Sequence, residues 1–206
     1  MKFNQLQKRI IDISYKNKIG HLSSNLNAVD IIDNIYSIKN SNDIFILSSG
    51  HAGLALYTVL EKYEGKNAEN LYKKHGVHPH RSLEDGIYCS TGSLGMGLTL
   101  ACGYALADKT RNVYCLISDG ESSEGSIWES LRFIYEAKLK NLKVYVNVNG
   151  MMACDFLDKE YLIKRLKAFL PTINIYETEP PILNNATGIL THYYILKDED
   201  YEKIIQ

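Results

Sequence analysis

The sequence predicts an α/β fold with an open, mostly parallel sheet and helices on both faces. Residues 44–47 form a short continuous apolar run, which is typical of a strand buried on both faces of a parallel sheet. Strand, helix and strand patterns follow one another between 113 and 146, a succession that gives parallel pairing through a right-handed crossover. The composition is globular, with 45% hydrophobic and 23% charged residues. The length fits a single domain over residues 1–206.

Apolar spacing and turn-forming residues place each element in order. Helical spacing is partial near the N-terminus but clear over 28–36, where Asn27 is the expected N-cap. The predicted helices cover 4–17, 28–36, 51–63, 68–74, an apolar stretch ending at 107, 123–139, 158–169 and 198–205. The predicted strands cover 44–47, 87–89, 113–117, 142–146, 172–178 and 192–196.

Charge and apolar content exclude several classes of protein. Lys and Arg number 23 against 24 Asp and Glu, so the formal charge of −1 gives no electrostatic footprint for nucleic acid. No apolar run approaches the roughly 20 residues that span a bilayer, and the first residues lack the apolar stretch of a signal peptide. The four cysteines, at 89, 102, 115 and 154, contain no C-x-x-C pair and are expected to be free core thiols. We therefore expect a cytoplasmic protein with neither a membrane nor a nucleic-acid partner.

Polar segments that contain glycine follow four of the predicted strands. These segments are 48–51, 90–93, 118–120 and 147–150. In open parallel sheets, ligands bind beyond the carboxyl ends of the strands. We therefore expect the four segments to meet at one edge of the sheet and to form the functional site there.

Asp119 and Asn149 end the two strands of the same βαβ unit, so the crossover is expected to bring them together. One carboxylate and one amide oxygen are too few for a Ca²⁺ cage, but they suit Mg²⁺, whose shell is completed by phosphates and water. Gly120 and Gly150 follow these two residues and allow a backbone group to approach a ligand closely. The alternative is that Asp119 and Asn149 are only turn formers.

The glycine-rich segment 92–97 differs from a dinucleotide-binding fingerprint, because the order of its glycines is reversed and no acidic residue follows at the required distance. Its backbone amides still favour a close ligand contact, and close packing of helix and sheet is the alternative. His21 and His51 lie in Gly-Ser loops and are candidate site residues. His75, His78 and His80 lack a cysteine or carboxylate at ligand spacing, so we expect no zinc site.

Taken together, these segments resemble the N-terminal, diphosphate-binding region of transketolases, most closely in families that divide transketolase between two chains. The segments that carry the resemblance are 19–24, 27–31, 43–52, His78-Pro79, 90–97, 119–126 and Asn149-Gly150. They occur in the family's order and span about 14–152. The resemblance implies the fold of the diphosphate-binding domain of thiamine diphosphate enzymes.

The resemblance also implies a cofactor site. Asp119, Asn149 and the backbone carbonyl of Met151 would hold Mg²⁺, which grips the diphosphate of thiamine diphosphate. The implied cofactor contacts are His51, Gly92, Ser93, Leu94, Gly120, Asn149 and the late histidine His192, with 92–94 on the pyrimidine side.

Further roles concern the substrate and the assembly. His21 and His78 would face a sugar or sugar phosphate, hydrogen-bond its hydroxyls and move protons. Glu124 and Glu129 match acidic residues at the interface between paired active sites. A helix-terminal acid and a surface charge are the structural alternatives for these two glutamates.

The implied reaction is the transfer of a two-carbon ketol unit between sugars, with the thiamine ring as the electron sink. In the family, the glutamate that activates the cofactor belongs to a pyrimidine-binding region that this chain is too short to include. The resemblance therefore implies a second polypeptide, in a hetero-oligomer such as a heterotetramer.

Some positions depart from the family pattern. Ser118 replaces the first glycine of its Gly-Asp-Gly motif, and residues 147–148 and 153–155 also differ. Two alternatives therefore stay open. One is another thiamine diphosphate enzyme, such as a decarboxylase, a 2-oxo acid dehydrogenase subunit or a deoxyxylulose phosphate synthase. The other is a non-catalytic assembly module with a degenerate cofactor site.

Overall fold

A computed structural model describes residues 3–152, 155–179, 181, 190 and 193–205 of the chain. At its centre is a sheet of four parallel strands in the order β1-β2-β3-β4. The strands are β1 (Ile44–Leu47), β2 (Val113–Ser118), β3 (Leu142–Val148) and β4 (Asn174–Glu177). The predicted open parallel sheet is confirmed.

Eight α-helices surround the sheet within the described ranges. They are α1 (Gln5–Asn17), α2 (Leu22–Ile38), α3 (Gly53–Glu64), α4 (Ala68–His75), α5 (Met96–Ala107), α6 (Gly125–Glu136), α7 (Lys159–Phe169) and α8 (Asp198–Ile205). Two short 3₁₀ turns, Gly50–Ala52 and Gly120–Ser123, follow β1 and β2 directly. None of the described helices is long and apolar enough to cross a membrane.

Strands β1 and β2 are buried on both faces, because successive side chains alternate between two hydrophobic clusters. Phe45, Leu47 and Leu116 pack among helices α1, α2 and α3. Ile46 and Cys115, which are partners in the register of β1 and β2, pack among α5, α6 and α7 on the opposite face. Helices on both faces of the sheet are therefore confirmed.

The predicted core thiols are confirmed for three cysteines. Cys89, Cys102 and Cys115 are free and buried, and burial raises the pKa of Cys89 and of Cys102 to about 11. A thiol with a raised pKa is a poor nucleophile at neutral pH. Cys154 lies outside the described residues.

Two strand predictions are wrong. Ile87 makes only an isolated antiparallel bridge with Ser82, because residues 76–95 form a loop and β1 is the neighbour of β2 in the sheet. Gly86, with φ of 78°, turns the chain just before this short apolar run. Residues 193–196 contain no strand either, since Leu196 instead buries itself against the helices of one face.

Helix α2 begins at Leu22, ahead of the predicted start at 28, and Asn27 is a buried residue inside the helix rather than its N-cap. The apolar face extends backwards through Leu22 and Leu26, both of which are buried. The polar residues between them hide this periodicity in the sequence. His21 occupies the N-cap position and makes no side-chain capping hydrogen bond.

The C-terminal helix α8 packs on α1. Tyr15 and Tyr201 stack with ring centroids 4.0 Å apart, and the Tyr201 hydroxyl donates to Asp12 at 2.6 Å. This packing places the segment before α8 beside the first loop of the chain, where the rings of Tyr193 and His21 are 5.7 Å apart. Both residues belong to the candidate site.

Candidate functional site

A cavity of about 370 Å³ lies at the carboxyl edge of the sheet. The segments that follow β1, β2 and β3 line it, as the parallel pairing predicts. The fourth predicted segment, 90–93, does not follow a strand, but its loop brings Leu94 to the same cavity. The lining residues include His21, Ser49, His51, His78, Leu94, Ser118, Asp119, Gly120, Asn147, Asn149, Met151 and Tyr193.

Asp119 ties the ends of β2 and β3 together. One carboxylate oxygen accepts the backbone N–H groups of Asn149 and Gly150, both at 2.7 Å, and the other accepts that of Gly120 at 3.0 Å. Asp119 is only 1% exposed, and burial raises its pKa while the backbone hydrogen bonds oppose that shift. The expected closeness of Asp119 and Asn149 is observed. Their roles as metal ligands stay a prediction.

Asn149 and Met151 lie in the segment after β3, which lines the cavity beside Asp119. The Asn149 side-chain oxygen accepts the backbone N–H of Met151 at 2.8 Å, and between them Gly150 has φ of 83°. A Cβ atom placed on Gly120 would lie 3.6 Å from the Met151 carbonyl oxygen. Gly120 and the Met151 carbonyl oxygen therefore lie side by side in this corner.

The donor atoms in this corner fit Mg²⁺. A carboxylate, an amide oxygen and a backbone carbonyl are hard oxygen ligands, and few protein ligands leave room for phosphate and water. In the described part of the chain, no group of three or more His, Cys, Asp or Glu side chains is placed so that it could hold a metal ion. The implied magnesium set contains a single such residue, Asp119, and otherwise uses an amide oxygen and a backbone carbonyl oxygen.

Buried Asn25 holds the two histidine loops together. Its amide nitrogen donates to the backbone oxygens of His21 at 2.9 Å and His51 at 3.4 Å, and its oxygen accepts the N–H of Ala55 at 2.8 Å. The rings of His21 and His51 are consequently 5.6 Å apart. Sequence reasoning missed Asn25, because a polar residue within a helical segment gives no sign in the sequence that its side chain is buried and forms hydrogen bonds.

His78 reaches the cavity from the loop after α4. A Cβ atom on Gly92 would lie 3.1 Å from the His78 ring, and one on Gly50 would lie 2.7 Å from the Thr91 carbonyl. Both glycines are therefore needed for close approach of the backbone. Leu94 lines the cavity, whereas Gly92 and Ser93 are not among its lining residues.

The remaining predicted residues lie elsewhere. Glu124 occupies the N-cap position of α6 and Glu129 is exposed on the same helix, and neither lines the cavity. Their placement at an interface stays a prediction. His192 lies outside the described residues, and its neighbour Tyr193 lines the cavity, a residue that sequence reasoning missed.

The departures from the family pattern have local partners. Ser118 places its hydroxyl 3.3 Å from a carboxylate oxygen of Glu121, a second buried acid that sequence reasoning passed over. Asn147 accepts a hydrogen bond from the hydroxyl of Thr178 at 2.6 Å, which ties β3 to the end of β4.

In the turn after Asp119, the Ser122 carbonyl accepts the indole N–H of Trp128 at 2.9 Å.

Comparison with known proteins adds a family to this geometry. A family model described as 1-deoxy-D-xylulose-5-phosphate synthase matches residues 3–158. One subunit of the apulose-4-phosphate transketolase of Phocaeicola vulgatus is 31% identical over 164 residues, covering 70% of this chain and 58% of that protein. Human transketolase is 39% identical over 127 residues, covering 55% of this chain and 20% of that protein. The chain thus spans only part of the length of these relatives.

Solved structures are similar in fold. The transketolase of Campylobacter jejuni superimposes with a TM-score of 0.73 at 21% identity, covering 97% of this chain and 40% of that one. The transketolase of Leishmania mexicana gives a TM-score of 0.72 at 19% identity, covering 97% and 39%. At these identities the likeness is one of fold, and it confirms the predicted diphosphate-binding fold.

Proposed function

This chain belongs to the 1-deoxy-D-xylulose-5-phosphate synthase family and is similar in sequence to transketolases, and we propose that it binds thiamine diphosphate and Mg²⁺ and serves as one of the subunits of a transketolase-type transferase. Its partner in this proposal is a separate chain that binds the pyrimidine end of the cofactor. The reaction is the transfer of a two-carbon ketol unit between sugar or sugar phosphate substrates.

The observation that carries the proposal is the corner built by Asp119. Its carboxylate joins the ends of two neighbouring strands, next to the Asn149 side chain and the Met151 carbonyl, inside a cavity. These three residues would hold Mg²⁺, and His51 and Gly120 would contact the diphosphate. When bound, thiamine diphosphate supplies the electron sink for breaking the ketose carbon–carbon bond.

The substrate side is formed by histidines. His21 and His78 line the same cavity as Asp119, and His21 lies against the ring of His51. Imidazoles suit this role, because they can both hydrogen-bond sugar hydroxyls and transfer protons near neutral pH. Leu94 would cover the pyrimidine side, in a segment with Gly92 and Ser93, and His192 would contact the cofactor late in the chain.

A second candidate is the synthesis of 1-deoxy-D-xylulose 5-phosphate, which the matching family model favours. The two reactions differ in the donor. A transketolase takes its two-carbon unit from a ketose, whereas a decarboxylating enzyme releases CO₂ from a 2-oxo acid. Assays of the reconstituted enzyme with each class of donor distinguish them.

Titration calorimetry with thiamine diphosphate in Mg²⁺ buffer tests the proposed function. The partner is sought as the product of a neighbouring reading frame and is added in a second series. We expect saturable, Mg²⁺-dependent binding of thiamine diphosphate in the series that contains the partner, whether or not the chain alone binds it. An absence of binding in both series would overturn the proposal in favour of a non-catalytic assembly module.

A further inference from the structure

The second buried acid at the sheet edge, Glu121, has no role in the function proposed above. It is fully buried, and none of the ion pairs among the described residues involves it. A buried carboxylate is costly unless hydrogen bonds replace its lost water. A neutral side chain of similar size would avoid that cost, so the contacts that Glu121 makes call for an explanation.

Glu121 accepts hydrogen bonds from three separate segments. One carboxylate oxygen accepts the Ser48 hydroxyl at 2.5 Å and the Gly95 N–H at 3.0 Å. The other accepts the Ser118 N–H at 2.8 Å and lies 3.3 Å from the Ser118 hydroxyl. The side chain therefore links the end of β1, the end of β2 and the start of α5.

Each of these segments leads directly into the cavity. Ser48 precedes Ser49, Ser118 precedes Asp119, and Gly95 follows Leu94, and the second residue of each pair lines the cavity. The start of α5 and the end of β1 are also in close contact, since a Cβ atom on Gly97 would lie 2.5 Å from the Ser48 Cα. A displacement of the Glu121 carboxylate would therefore move its hydrogen-bond partners, whose sequence neighbours line the cavity.

We propose that Glu121 is a positioning residue for the cofactor site. Its carboxylate fixes the relative positions of the β1 end, the β2 end and the start of α5, and so places Asp119 and Leu94. It acts through these segments and touches neither cofactor nor substrate. The inference rests on the proposed function. It also explains Ser118, whose hydroxyl donates to this carboxylate where the family motif has a glycine.

The variant Glu121→Gln tests the proposal. Glutamine keeps the size of the side chain but turns one acceptor oxygen into an NH₂ group, which would face N–H and hydroxyl donors. The matched control is Asp43→Asn. Asp43 is also buried and accepts backbone N–H groups of Asn40 and Asn112 at 2.9 Å, but it precedes β1 at the opposite edge of the sheet.

The first measurement is the affinity for thiamine diphosphate with Mg²⁺, made on the assembly that binds it. We expect Glu121→Gln to weaken binding by about tenfold or more, as removal of a residue that supports metal ligands does. Asp43→Asn should bind like the wild type at a temperature where both variants are folded. Equal losses in the two variants, or wild-type affinity in Glu121→Gln, would overturn the proposal.

The second measurement is hydrogen exchange of the Asn149 and Gly150 amides, which bond to Asp119 and not to Glu121. Faster exchange there in Glu121→Gln, but not in Asp43→Asn, is expected if Glu121 positions Asp119. Unchanged exchange would contradict the inference. This readout needs no ligand, so it judges the role of Glu121 even if the wild type fails to bind thiamine diphosphate and the proposed function falls.

A milder variant covers the case in which Glu121→Gln does not fold. Ser48→Ala removes one donor to the carboxylate and leaves the charge in place. We expect it to weaken cofactor binding by about fivefold, which corresponds to one hydrogen bond. A wild-type affinity in this variant would count against the proposed linkage between β1 and the cavity.

Discussion

His21 holds a backbone conformation that few residues with a Cβ atom adopt. Its φ of 57° lies in the left-handed region, at the N-cap of α2 and at the wall of the cavity. Such a conformation costs about 1–2 kcal/mol for a residue other than glycine. Strain of this kind persists where the surrounding structure and the site require the side chain.

Two substitutions separate the strain at His21 from its function. We expect His21→Gly to be more stable than His21→Ala by about 1 kcal/mol, because glycine removes the strain. Both variants should lose most ketol transfer in the assembled enzyme, because neither carries an imidazole. Urea unfolding and steady-state kinetics check the two statements. A glycine variant less stable than the alanine variant would contradict the first.

Asp119→Ala tests the metal corner. The substitution removes the carboxylate and leaves three backbone N–H groups, at Gly120, Asn149 and Gly150, without their acceptor. We expect Mg²⁺-dependent binding of thiamine diphosphate to fall by at least about 100-fold, beyond the loss typical of a supporting residue. Calorimetry at fixed Mg²⁺ measures this, and unchanged affinity would contradict the assignment.

Among single residues, the sequence predicted those whose position follows from the local pattern of strands and turns. Asp119 and Asn149 each end a strand of one crossover, so the topology alone brings them together. Asn25 and Glu121 escaped prediction because their partners are distant in sequence, Ala55 for the first and Ser48 for the second. For a polar side chain inside a helix or a turn, a hydrogen-bond partner that is distant in sequence can be identified only from the folded structure.

At the scale of elements, α5 contains two glycines with opposite surroundings. A Cβ atom on Gly97 would lie 2.5 Å from the Ser48 Cα, whereas one on Gly103 would meet nothing within 4 Å. We expect Gly97→Ala to destabilise the protein by about 1–3 kcal/mol through overpacking. Gly103→Ala should stabilise it by up to about 1 kcal/mol through helix propensity. Thermal unfolding of the two variants compares them, and equal shifts would contradict this account.

The loop after α4 is anchored by Asp85. Its carboxylate accepts from Lys74 at 2.5 Å and from Ser82 at 2.8 Å, and it pairs with His75 at 2.9 Å. The hydrogen bond from Lys74, followed by those from Ser82 and His75, holds the pKa of Asp85 well below its ordinary value despite burial. These contacts fix the segment that presents His78 to the cavity.

A lowered pKa in the folded state makes this anchor sensitive to acid. The unfolded chain binds the proton first, so the stabilisation is present above about pH 4 and is lost as the pH falls below that value. We expect Asp85→Asn to lower the free energy of unfolding by about 1–2 kcal/mol at neutral pH. The difference from the wild type should shrink below about pH 4. A pH-independent difference in urea unfolding would contradict this.

The elements themselves were predictable where one pattern dominates. The first three strands are largely apolar and end in polar turns, so their positions and parallel pairing follow from the sequence. The strand predicted over 87–89 was wrong, because an apolar run of three residues after the turn at Gly86 is too short to distinguish a strand from a loop. The predicted start of α2 was wrong, because buried polar residues interrupt the apolar face of its first turns.

At the scale of the whole molecule, the chain supplies one wall of an active site in the proposed function. In that proposal, the glutamate that activates the cofactor belongs to the partner chain, which binds the pyrimidine end. We therefore expect the purified chain to show no transketolase turnover alone and to gain it when the partner is added. Coupled assays with and without the partner measure this. Robust turnover by the chain alone would contradict the proposed division of labour.

The contact between Trp128 and the turn after Asp119 has a practical consequence. Trp128 is the sole tryptophan of the chain, and its indole donates to Ser122 while the Arg165 guanidinium lies 4.2 Å from its ring. We expect a ligand bound at Gly120 to change the surroundings of the turn that holds this indole, and indole emission depends on its hydrogen bonding and neighbouring charge. The intensity or wavelength of Trp128 emission should therefore change as the site fills, which would report occupancy without a label.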